Sequence, residues 1–343
     1  MELSWKTKGI VLTSPLNEEI DDVIKFIEEY LAPRGFNMIV MQVRYRYQFK
    51  RHPEVWGYDP LSLEDVKRLL NVCRKNNIKL VPKMNLIGHQ SGFPNEPTDG
   101  ILHGHNHVSA DIRDGLLRAY PDFDEQFGTK EILYSRSICL SSVSAKTVVC
   151  ELIDELMDVF ESDMIHIGCD EVFNAGLCPE CAKKSRGELI SSWINSLNEH
   201  IKKRGGVALI WGDRLLSTKE TGYNRWEASE DDSITAIDML SRDIIICDWH
   251  YDKYEKYHSV DIFAEKGFKI MVSPWRDKNS LEAFMNYAKN HDKGHIEGVL
   301  MTTWCGSGDL AKRLLYGEKG RWMHTEQIAA TIEQTFDKNQ KGI

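Results

Sequence analysis

The sequence predicts an α/β protein, a single (β/α)8 TIM barrel with a long loop after strand three. Eight short apolar runs alternate with amphipathic stretches, which is the pattern of parallel strands joined by helices. A doubly wound sheet is the competing architecture, but the Gly-rich phosphate-binding turn typical of it does not follow the first run. Because no linker, repeat or low-complexity segment interrupts the 343 residues, we expect one domain over residues 1–343.

The predicted strands are runs of four residues rich in Ile, Val, Leu and Met. Runs this short and apolar are typical of strands buried on both faces of a parallel sheet. They are Gly9–Leu12, Met38–Met41, Ile78–Val81, Met164–Ile167, Ala208–Trp211, Ile244–Cys247, Lys269–Val272 and Gly298–Met301.

Two of the intervening stretches have clear helical signals. Leu63–Lys75 follows Ser62, a residue type that caps helix N-termini, and has acidic residues in its first turn. Val148–Phe160 carries apolar residues at spacings of three and four, including Leu152 and Leu156. Both stretches are long enough to cross back over a sheet between parallel strands.

The longest irregular stretch runs from Gly88 to Arg136, directly after strand three. It exceeds an ordinary connection, so we interpret it as a functional loop or an insertion on the catalytic face of the barrel. Alternation places three of its histidines on one side of an extended segment, which suits a metal, although solvated or substrate-rim histidines are favoured. These are His103, His105 and His107.

Composition argues against two classes of partner. A net charge of −9 is unlike a nucleic-acid-binding surface, which needs a basic patch. No apolar run reaches 18 residues, so no membrane association through a spanning helix is expected. The N-terminus has no basic segment followed by an apolar one, so we expect no secretory signal and a cytoplasmic location.

The eight cysteines fit a reducing compartment. Cys178 and Cys181 form a Cys-x-x-Cys pair, but without a second pair zinc is a weak alternative and loop packing is favoured. A redox role would need a thioredoxin-like context, which is absent. We therefore expect no metal and no cofactor. Five others lie in apolar or helical contexts and are interpreted as reduced core residues: Cys73, Cys139, Cys150, Cys169 and Cys247.

The fourth predicted strand runs into a small-residue turn and then into two adjacent carboxylates, Asp170 and Glu171. Neighbouring acids repel when both ionise, so their protonation states tend to differ. Such a pair can supply one acid and one electrostatic stabiliser. Most Asp-Glu pairs lie on solvated faces, but this one follows an apolar strand, which favours a catalytic site.

Tryptophan recurs at the predicted strand ends, where a barrel carries its active site. Aromatic walls around a polar floor suit a sugar, whose C–H faces pack on rings while its hydroxyls need directed partners. Core packing at the barrel top would explain one such tryptophan better than four. The candidate substrate-binding residues at the strand ends are Arg46, His89, Trp211, Asp213, Trp249, Tyr251, Trp275 and Trp304.

The stretch His166-Ile-Gly-Cys-Asp-Glu-Val172 resembles the His-x-Gly-Gly-Asp-Glu signature of glycoside hydrolase family 20, the β-N-acetylhexosaminidases. It is most similar to the hexosaminidase D branch, and the resemblance covers about Lys8 to Gly308. It implies that Asp170 orients the substrate's 2-acetamido group and that Glu171 protonates the glycosidic oxygen and later activates water. The acetamide itself is then the nucleophile, which gives retention.

The same resemblance implies supporting roles for other strand-end residues. Trp211, Trp249 and Trp304 match tryptophans that line the pocket of the terminal sugar. Tyr251 matches a donor to the acetamide oxygen. His89 matches the histidine of a Pro-Gly-His turn and is expected to buttress the acid.

Several positions depart from the better-known members of the family. Lys8 stands where the family has a sugar-binding arginine, and Asn85 replaces an acid. Gly306 replaces a hydroxyl-binding glutamate after strand eight, and Arg44 and Arg46 replace acids after strand two. We expect at least one of the two arginines to pair with a loop acid. These departures leave the catalytic pair intact but alter recognition of the outer hydroxyls.

The leading hypothesis is therefore a retaining exo-β-N-acetylhexosaminidase that removes terminal β-linked GalNAc or GlcNAc from a glycan or glycoconjugate. Two alternatives remain open. One is a two-carboxylate glycosidase acting on sugars without an acetamide, with Asp213 or Asp277 as the partner of Glu171. The other is a barrel that binds carbohydrate without hydrolysing it, against which the intact acid pair argues.

Overall fold

Eight parallel strands close into a barrel in the order in which they occur in the chain. The computed structural model describes residues 5–91, 113–125 and 134–336. The barrel confirms the predicted fold, and each predicted run lies in or overlaps one strand. The strands are β1 (Thr7–Thr13), β2 (Met38–Gln42), β3 (Lys79–Lys83), β4 (Met164–His166), β5 (Val207–Trp211), β6 (Ile245–Trp249), β7 (Lys269–Ser273) and β8 (Ile296–Met301).

The α-helices form the outer layer of the barrel. The predicted helix Leu63–Lys75 has the predicted bounds, and the Oγ of Ser62 caps it by accepting the N–H of Asp65 at 3.2 Å. The described α-helices are Ile20–Lys25, Leu63–Lys75, Gly115–Ala119, Val143–Val159, Arg186–Lys203, Thr218–Thr221, Ala236–Met239, His258–Glu265, Lys278–His291, Ser307–Tyr316 and Met323–Phe336.

The helix before β4 begins earlier than its apolar spacing predicted. It spans Val143–Val159, because the Oγ of Ser142 accepts the N–H of Ala145 at 3.1 Å and so fixes the first turn. Val143 is 73% exposed, which explains why apolar periodicity did not mark this turn. Among the described residues, no helix is long and apolar enough to cross a membrane.

The strand residues alternate between the barrel interior and the helix layer. In β5, Leu209 and Trp211 belong to the interior cluster, whereas Ile210 packs with the outer core. In β6, Cys247 and Trp249 face the interior in the same way. A period of two therefore points the last residue of each of these strands, a tryptophan, into the mouth of the barrel.

Side-chain hydrogen bonds join β1 to the segment that follows β8. The Oγ1 of Thr303 donates to the carbonyl of Val11 at 2.6 Å, and the Oγ1 of Thr13 donates to the carbonyl of Cys305 at 3.0 Å. These bonds fix the chain on both sides of Trp304. The side chain that lines the mouth after β8 is thus held by the end of β1.

The loop after β3 is only partly described. Its described parts include an isolated bridge between Ser91 and Arg113, the helix Gly115–Ala119 and the segment from Tyr134 into the helix before β4. The carbonyl of Ile87 accepts the N–H of Ile138 at 2.9 Å, which places the end of this loop against its beginning. His103, His105 and His107 lie outside the described residues.

Candidate active site

The turn after β4 carries the two adjacent carboxylates and is tightly constrained. Gly168 has φ +76°, and a Cβ there would lie 2.7 Å from the Oδ1 of Asn85. Cys169 follows with φ +79° and Glu171 with φ +48°. Left-handed backbone at residues other than glycine costs roughly 1–3 kcal/mol each and is found mainly at functional sites. The strained backbone at Cys169 and Glu171 therefore sets the direction of these carboxylates.

His89, from the loop after β3, lies against both carboxylates. Its Nε2 is 3.0 Å from the Oδ2 of Asp170 and 3.3 Å from the Oε2 of Glu171, and its side chain is 3% exposed. Burial opposes the charged imidazolium, but the charges and hydrogen bonding of Asp170 and Glu171 together outweigh it and raise the pKa of His89 to about 9. The predicted contact between His89 and the acid pair is present, and the two carboxylates favour the charged form of the histidine.

The two carboxylates have different surroundings. Burial favours the neutral form of Asp170, but the charge and hydrogen bonding of His89 together with the charge of Lys83 outweigh this effect and hold the pKa of Asp170 well below its ordinary value. Glu171 is approached by the phenol of Tyr134, whose pKa is raised by burial and by the charge of Glu171. His89 and Lys83 therefore favour the ionised form of Asp170, whereas Glu171 lies beside a protonated phenol that can donate a hydrogen bond to it.

Asp213, which directly follows β5 and Gly212, contacts the backbone of Glu171 and the indole of Trp249. Its Oδ2 accepts the backbone N–H of Glu171 at 2.9 Å and the Nε–H of Arg214 at 2.7 Å. Its Oδ1 accepts the indole N–H of Trp249 at 3.1 Å. Asp213 was predicted to bind substrate. In the structure it is 2% exposed and positions two other predicted site residues.

A buried lysine at the end of β3 was not predicted from the sequence. The Nζ of Lys83 donates to the Oδ1 of Asn85 at 2.5 Å and to the Oε1 of Gln42 at 3.3 Å, and the residue is 1% exposed. Burial lowers its pKa to about 8, although the charge of Asp170 opposes this effect. Lys83 therefore adds positive potential below Asp170. The available signal was the spacing of two between Val81, which faces the barrel interior, and Lys83, because this spacing places both side chains on the same face of β3.

Aromatic side chains form one wall of the site. The rings of Trp211 and Trp304 are 5.8 Å apart, and Trp249 lies 4.8 Å from Tyr251. The indole N–H of Trp304 donates to the hydroxyl of Tyr251 at 2.6 Å. Burial raises the pKa of Tyr251, so its phenol keeps a proton that it can donate. The structure brings all four of these predicted residues together.

Trp275 extends this wall toward a neighbouring cavity. Its ring lies 4.9 Å from that of Tyr251 and stacks under the Arg276 guanidinium at 3.6 Å. The cavity has a volume of about 460 Å³, and Asp170 and Glu171 do not line it. Trp275 thus lines this cavity and also contacts the aromatic wall through Tyr251.

The two arginines after β2 are engaged within the protein. The Nη1 and Nη2 of Arg46 donate to the carbonyls of Ser14 and Pro15, each at 2.7 Å, and Nη2 lies 3.9 Å from the Oδ2 of Asp59. Arg44 pairs with Asp114 at 2.9 Å. The expected pairing with loop acids is confirmed for both. Substrate binding by Arg46 stays a prediction, since carbonyl groups already occupy most of its donors.

Lys8 lies away from the site, unlike the sugar-binding arginine that it matches in the resemblance. Its Nζ donates to the carbonyl of Arg34 at 2.6 Å and lies 4.6 Å from the ring centre of Phe336. Both partners belong to the outer layer. The sequence marks Lys8 as a departure from the family's arginine, and β1 presents this lysine to the helices of the outer layer.

Two groups of the described residues have the geometry of metal ligands. One is His89 with Asp170 and Glu171, in which the imidazolium already balances the carboxylate charge. The other is Glu125 with Cys139, Cys178 and Cys181, on the loops after β3 and β4. Cys139 was expected to be a core residue. It is instead half-buried and faces the Cys-x-x-Cys pair, because the loop after β3 returns beside the loop after β4.

Comparisons with known proteins give a family match and one distant relative by sequence. The family model described as "Glycosyl hydrolase family 20, catalytic domain" matches residues 41–313. By sequence, the Lacto-N-biosidase of Bifidobacterium bifidum is 20% identical over 236 residues, covering 64% of this chain and 19% of that protein. The chain thus spans about a fifth of this relative's length.

Two solved structures have folds similar to that of this chain. A beta-N-acetylhexosaminidase from Bacteroides fragilis superposes with a TM-score of 0.66 at 15% identity, covering 99% of this chain and 68% of that one. A chitobiase from Flavobacterium johnsoniae has a TM-score of 0.66 at 18% identity, with 97% and 49% covered. At these identities the likeness establishes the shared fold.

Proposed function

The chain belongs to glycosyl hydrolase family 20, and we propose that it is a retaining exo-β-N-acetylhexosaminidase using substrate-assisted catalysis. The observation that carries the proposal is the pairing of an anionic Asp170 with an adjacent Glu171 beneath an aromatic wall. The proposed substrate is a terminal β-linked GalNAc or GlcNAc of a glycan or glycoconjugate. No cofactor takes part in the proposed mechanism.

Asp170 is suited to orient the acetamide group. A carboxylate held ionised by His89 accepts the acetamide N–H and raises the nucleophilicity of the carbonyl oxygen. The protonated hydroxyl of Tyr251 can donate to that oxygen and hold it near the anomeric carbon. The carbonyl oxygen then attacks the anomeric carbon as the glycosidic bond breaks, which gives a bicyclic oxazolinium intermediate.

Glu171 is the general acid and base of the proposed reaction. It donates a proton to the departing glycosidic oxygen, and its carboxylate later removes a proton from the water that opens the intermediate. Asp213 fixes its backbone, and Tyr134 contacts its side chain. The indole rings of Trp211 and Trp304 supply an apolar surface for the sugar ring.

Surroundings of the remaining acids argue against a two-carboxylate mechanism. A nucleophile must present a carboxylate oxygen to the anomeric carbon, whereas the two oxygens of Asp213 accept three hydrogen bonds from the protein. Asp277 caps the helix Lys278–His291 by accepting the N–H of Ser280 at 2.7 Å. Both oxygens of Asp213 are engaged and Asp277 is an exposed helix cap, so the acetamide is the better candidate.

The test combines a substrate panel with an analogue of the intermediate. Aryl β-glycosides of GlcNAc, GalNAc, glucose and galactose are compared under one set of conditions, and a thiazoline mimic of the oxazolinium intermediate is added as inhibitor. We expect turnover of the two acetamido sugars alone and competitive inhibition by the thiazoline. Turnover of glucose or galactose without thiazoline inhibition would support the two-carboxylate alternative, and no turnover at all would support a binding barrel.

A further inference from the structure

We propose that Glu125, Cys139, Cys178 and Cys181 form a structural zinc site that fastens the loop after β3 to the loop after β4. The four residues come from sequence segments that the barrel topology brings together at its C-terminal face. Glu125 and Cys139 belong to the first loop, and Cys178 and Cys181 belong to the second. The site is distinct from the acid pair and goes beyond the proposed function.

Distances among the sulfur atoms match a tetrahedral metal centre. The Sγ of Cys139 lies 3.6 Å from the Sγ of Cys178 and 3.7 Å from the Sγ of Cys181. A Zn–S distance of about 2.3 Å places the sulfur atoms of a tetrahedral site about 3.8 Å apart. One ligand atom from each of the four residues lies within 4.8 Å of all the others. The cluster therefore has the size that a zinc ion requires.

The Cys-x-x-Cys loop already has the backbone conformation of a thiolate chelate. The backbone N–H of Cys181 donates to the Sγ of Cys178 at 3.3 Å. An N–H directed at sulfur stabilises the thiolate form, which is the form that binds metal. The Sγ atoms of Cys178 and Cys181 lie 3.6 and 3.7 Å from that of Cys139, so the loop presents both sulfur atoms to Cys139.

Glu125 supplies an independent indication of a fourth ligand. Its Oε1 accepts the backbone N–H groups of Leu177 and Cys178 at 2.7 and 3.0 Å. Its Oε2 is buried and has no hydrogen-bond partner among the described residues, and the whole residue is 1% exposed. A buried carboxylate oxygen without a donor is costly, and coordination to a cation removes that cost.

Zinc explains these features better than a disulfide or plain packing. The sulfur–sulfur separations of 3.6 and 3.7 Å are far longer than the ~2.05 Å of a disulfide bond. Three thiol groups around a buried carboxylate would also make a poor apolar cluster. Three thiolates and one carboxylate form a closed four-ligand set of Zn-binding groups, and a closed tetrahedral set is typical of structural zinc.

The proposed ion has a clear structural consequence. Tyr134 precedes Cys139 in the first loop and contacts Glu171 in the second. The side-chain amide of Asn174 also donates to the carbonyl of Ser135 at 2.6 Å, which joins the same two segments. A metal held by both loops would fix the distance between Tyr134 and Glu171. The zinc would thus preorganise the acid without touching the substrate.

The first measurement is the metal content of the intact protein, purified without chelators and without a metal-binding tag. We expect about one zinc per chain by elemental analysis. Cys178→Ser should lose it, whereas Cys150→Ser should keep it, since Cys150 lies outside the cluster. Glu125→Gln should retain zinc less well against a chelator, because it removes the charge but keeps the side chain's shape.

Two measurements on the wild-type chain make the test independent of how the variants fold. Removal of the metal by a strong chelator should lower the melting temperature, and added Zn²⁺ should restore it. Co²⁺ exchanged into the site should give the intense absorption of tetrahedral cobalt–thiolate coordination. A chain without zinc that gives no such absorption with Co²⁺ would overturn the proposal, as would iron as the native metal or a disulfide among the three cysteines.

Discussion

The backbone N–H of Glu171 donates to the Oδ2 of Asp213 at 2.9 Å, across two different strand ends of the barrel. The same oxygen accepts the Nε–H of Arg214, so the carboxylate is held from both sides. Burial raises the pKa of Asp213 to about 6, despite the neighbouring guanidinium. The position of the proposed acid thus depends on a residue that does not contact the reacting atoms in the proposed mechanism.

Asp213→Asn is expected to lower kcat roughly 10- to 100-fold with a smaller change in KM. The amide has one acceptor oxygen in place of two, so it cannot serve Glu171, Arg214 and Trp249 together. Steady-state kinetics on an aryl N-acetylhexosaminide check this expectation. Asp163→Asn is the matched control, because Asp163 is an exposed acid before β4 at the opposite end of the barrel.

A second measurement, the pH dependence of kcat, tests whether Asp213 acts by positioning Glu171. Asp213→Asn should shift the pH–kcat profile, because the charge next to Glu171 is removed while the acid itself remains. An unchanged profile together with unchanged kcat would show that Asp213 has no part in positioning Glu171.

Glu171→Gln is expected to lower kcat/KM by about 10²–10⁴ while the fold survives. The loss should be smaller for substrates with activated aryl leaving groups, because these need less protonation. Rates are measured across a series of leaving groups for the wild-type protein and for the variant. Circular dichroism and the melting temperature verify that the variant is folded.

The leaving-group slope decides the role of Glu171. A general acid predicts a steeper dependence on leaving-group pKa in the variant than in the wild-type protein. Equal losses on good and poor leaving groups would contradict the acid role.

His89 should make the stability of the protein depend on pH. Its pKa is raised to about 9 in the fold, above its ordinary value of about 6.5. The stability that it contributes is therefore complete below about pH 6.5 and is lost as the pH rises through about 9. Melting temperatures of wild type and His89→Gln should differ most near pH 6 and converge above about pH 9.

His250 provides the internal control for this experiment. Burial opposes its charge, but Asp248 and Glu227 outweigh that effect and also raise its pKa to about 9. This contribution has the same sign and is present in both proteins, so only the difference between the two curves reports on His89. A difference that stays constant from pH 6 to pH 9 would show that His89 is not charged beside Asp170.

The barrel could be predicted because its signal is local. Each strand is a short apolar run, and burial on both faces of a parallel sheet requires such runs. The ends of the strands were less certain. Polar or aromatic inward residues continue several strands beyond their apolar part, as Lys83 and Trp249 do. A residue that serves the active site breaks the pattern by which strands are recognised.

The site was predictable where one segment carries several of its residues. Asp170 and Glu171 are adjacent in the sequence, Trp211 ends an apolar run, and Trp249 follows one by two residues. The contacts of Glu125 and Cys139 with Cys178 could not be predicted, since they join positions dozens of residues apart through loops. The outward position of Lys8 could not be predicted either, because a motif match does not determine which face of a strand a side chain occupies.

The choice between GalNAc and GlcNAc depends on the groups near O4 of the sugar, where the two differ. The family's hydroxyl-binding glutamate after β8 is replaced by Gly306, which begins the helix Ser307–Tyr316. After β2, Arg44 pairs with Asp114, and Arg46 is engaged by backbone carbonyls. The described strand ends after β2 and β8 thus offer few fixed acceptors for O4 and O6.

We therefore expect activity on both β-GalNAc and β-GlcNAc, with GalNAc equal or better. A pocket separates epimers strongly only when the wrong one leaves its buried polar groups unpaired, and the polar groups after β2 already have partners in the protein. The measurement is kcat/KM for the two aryl glycosides under identical conditions. A preference for GlcNAc above roughly 100-fold, about 2.7 kcal/mol of transition-state discrimination, would mean that other residues read the C4 configuration.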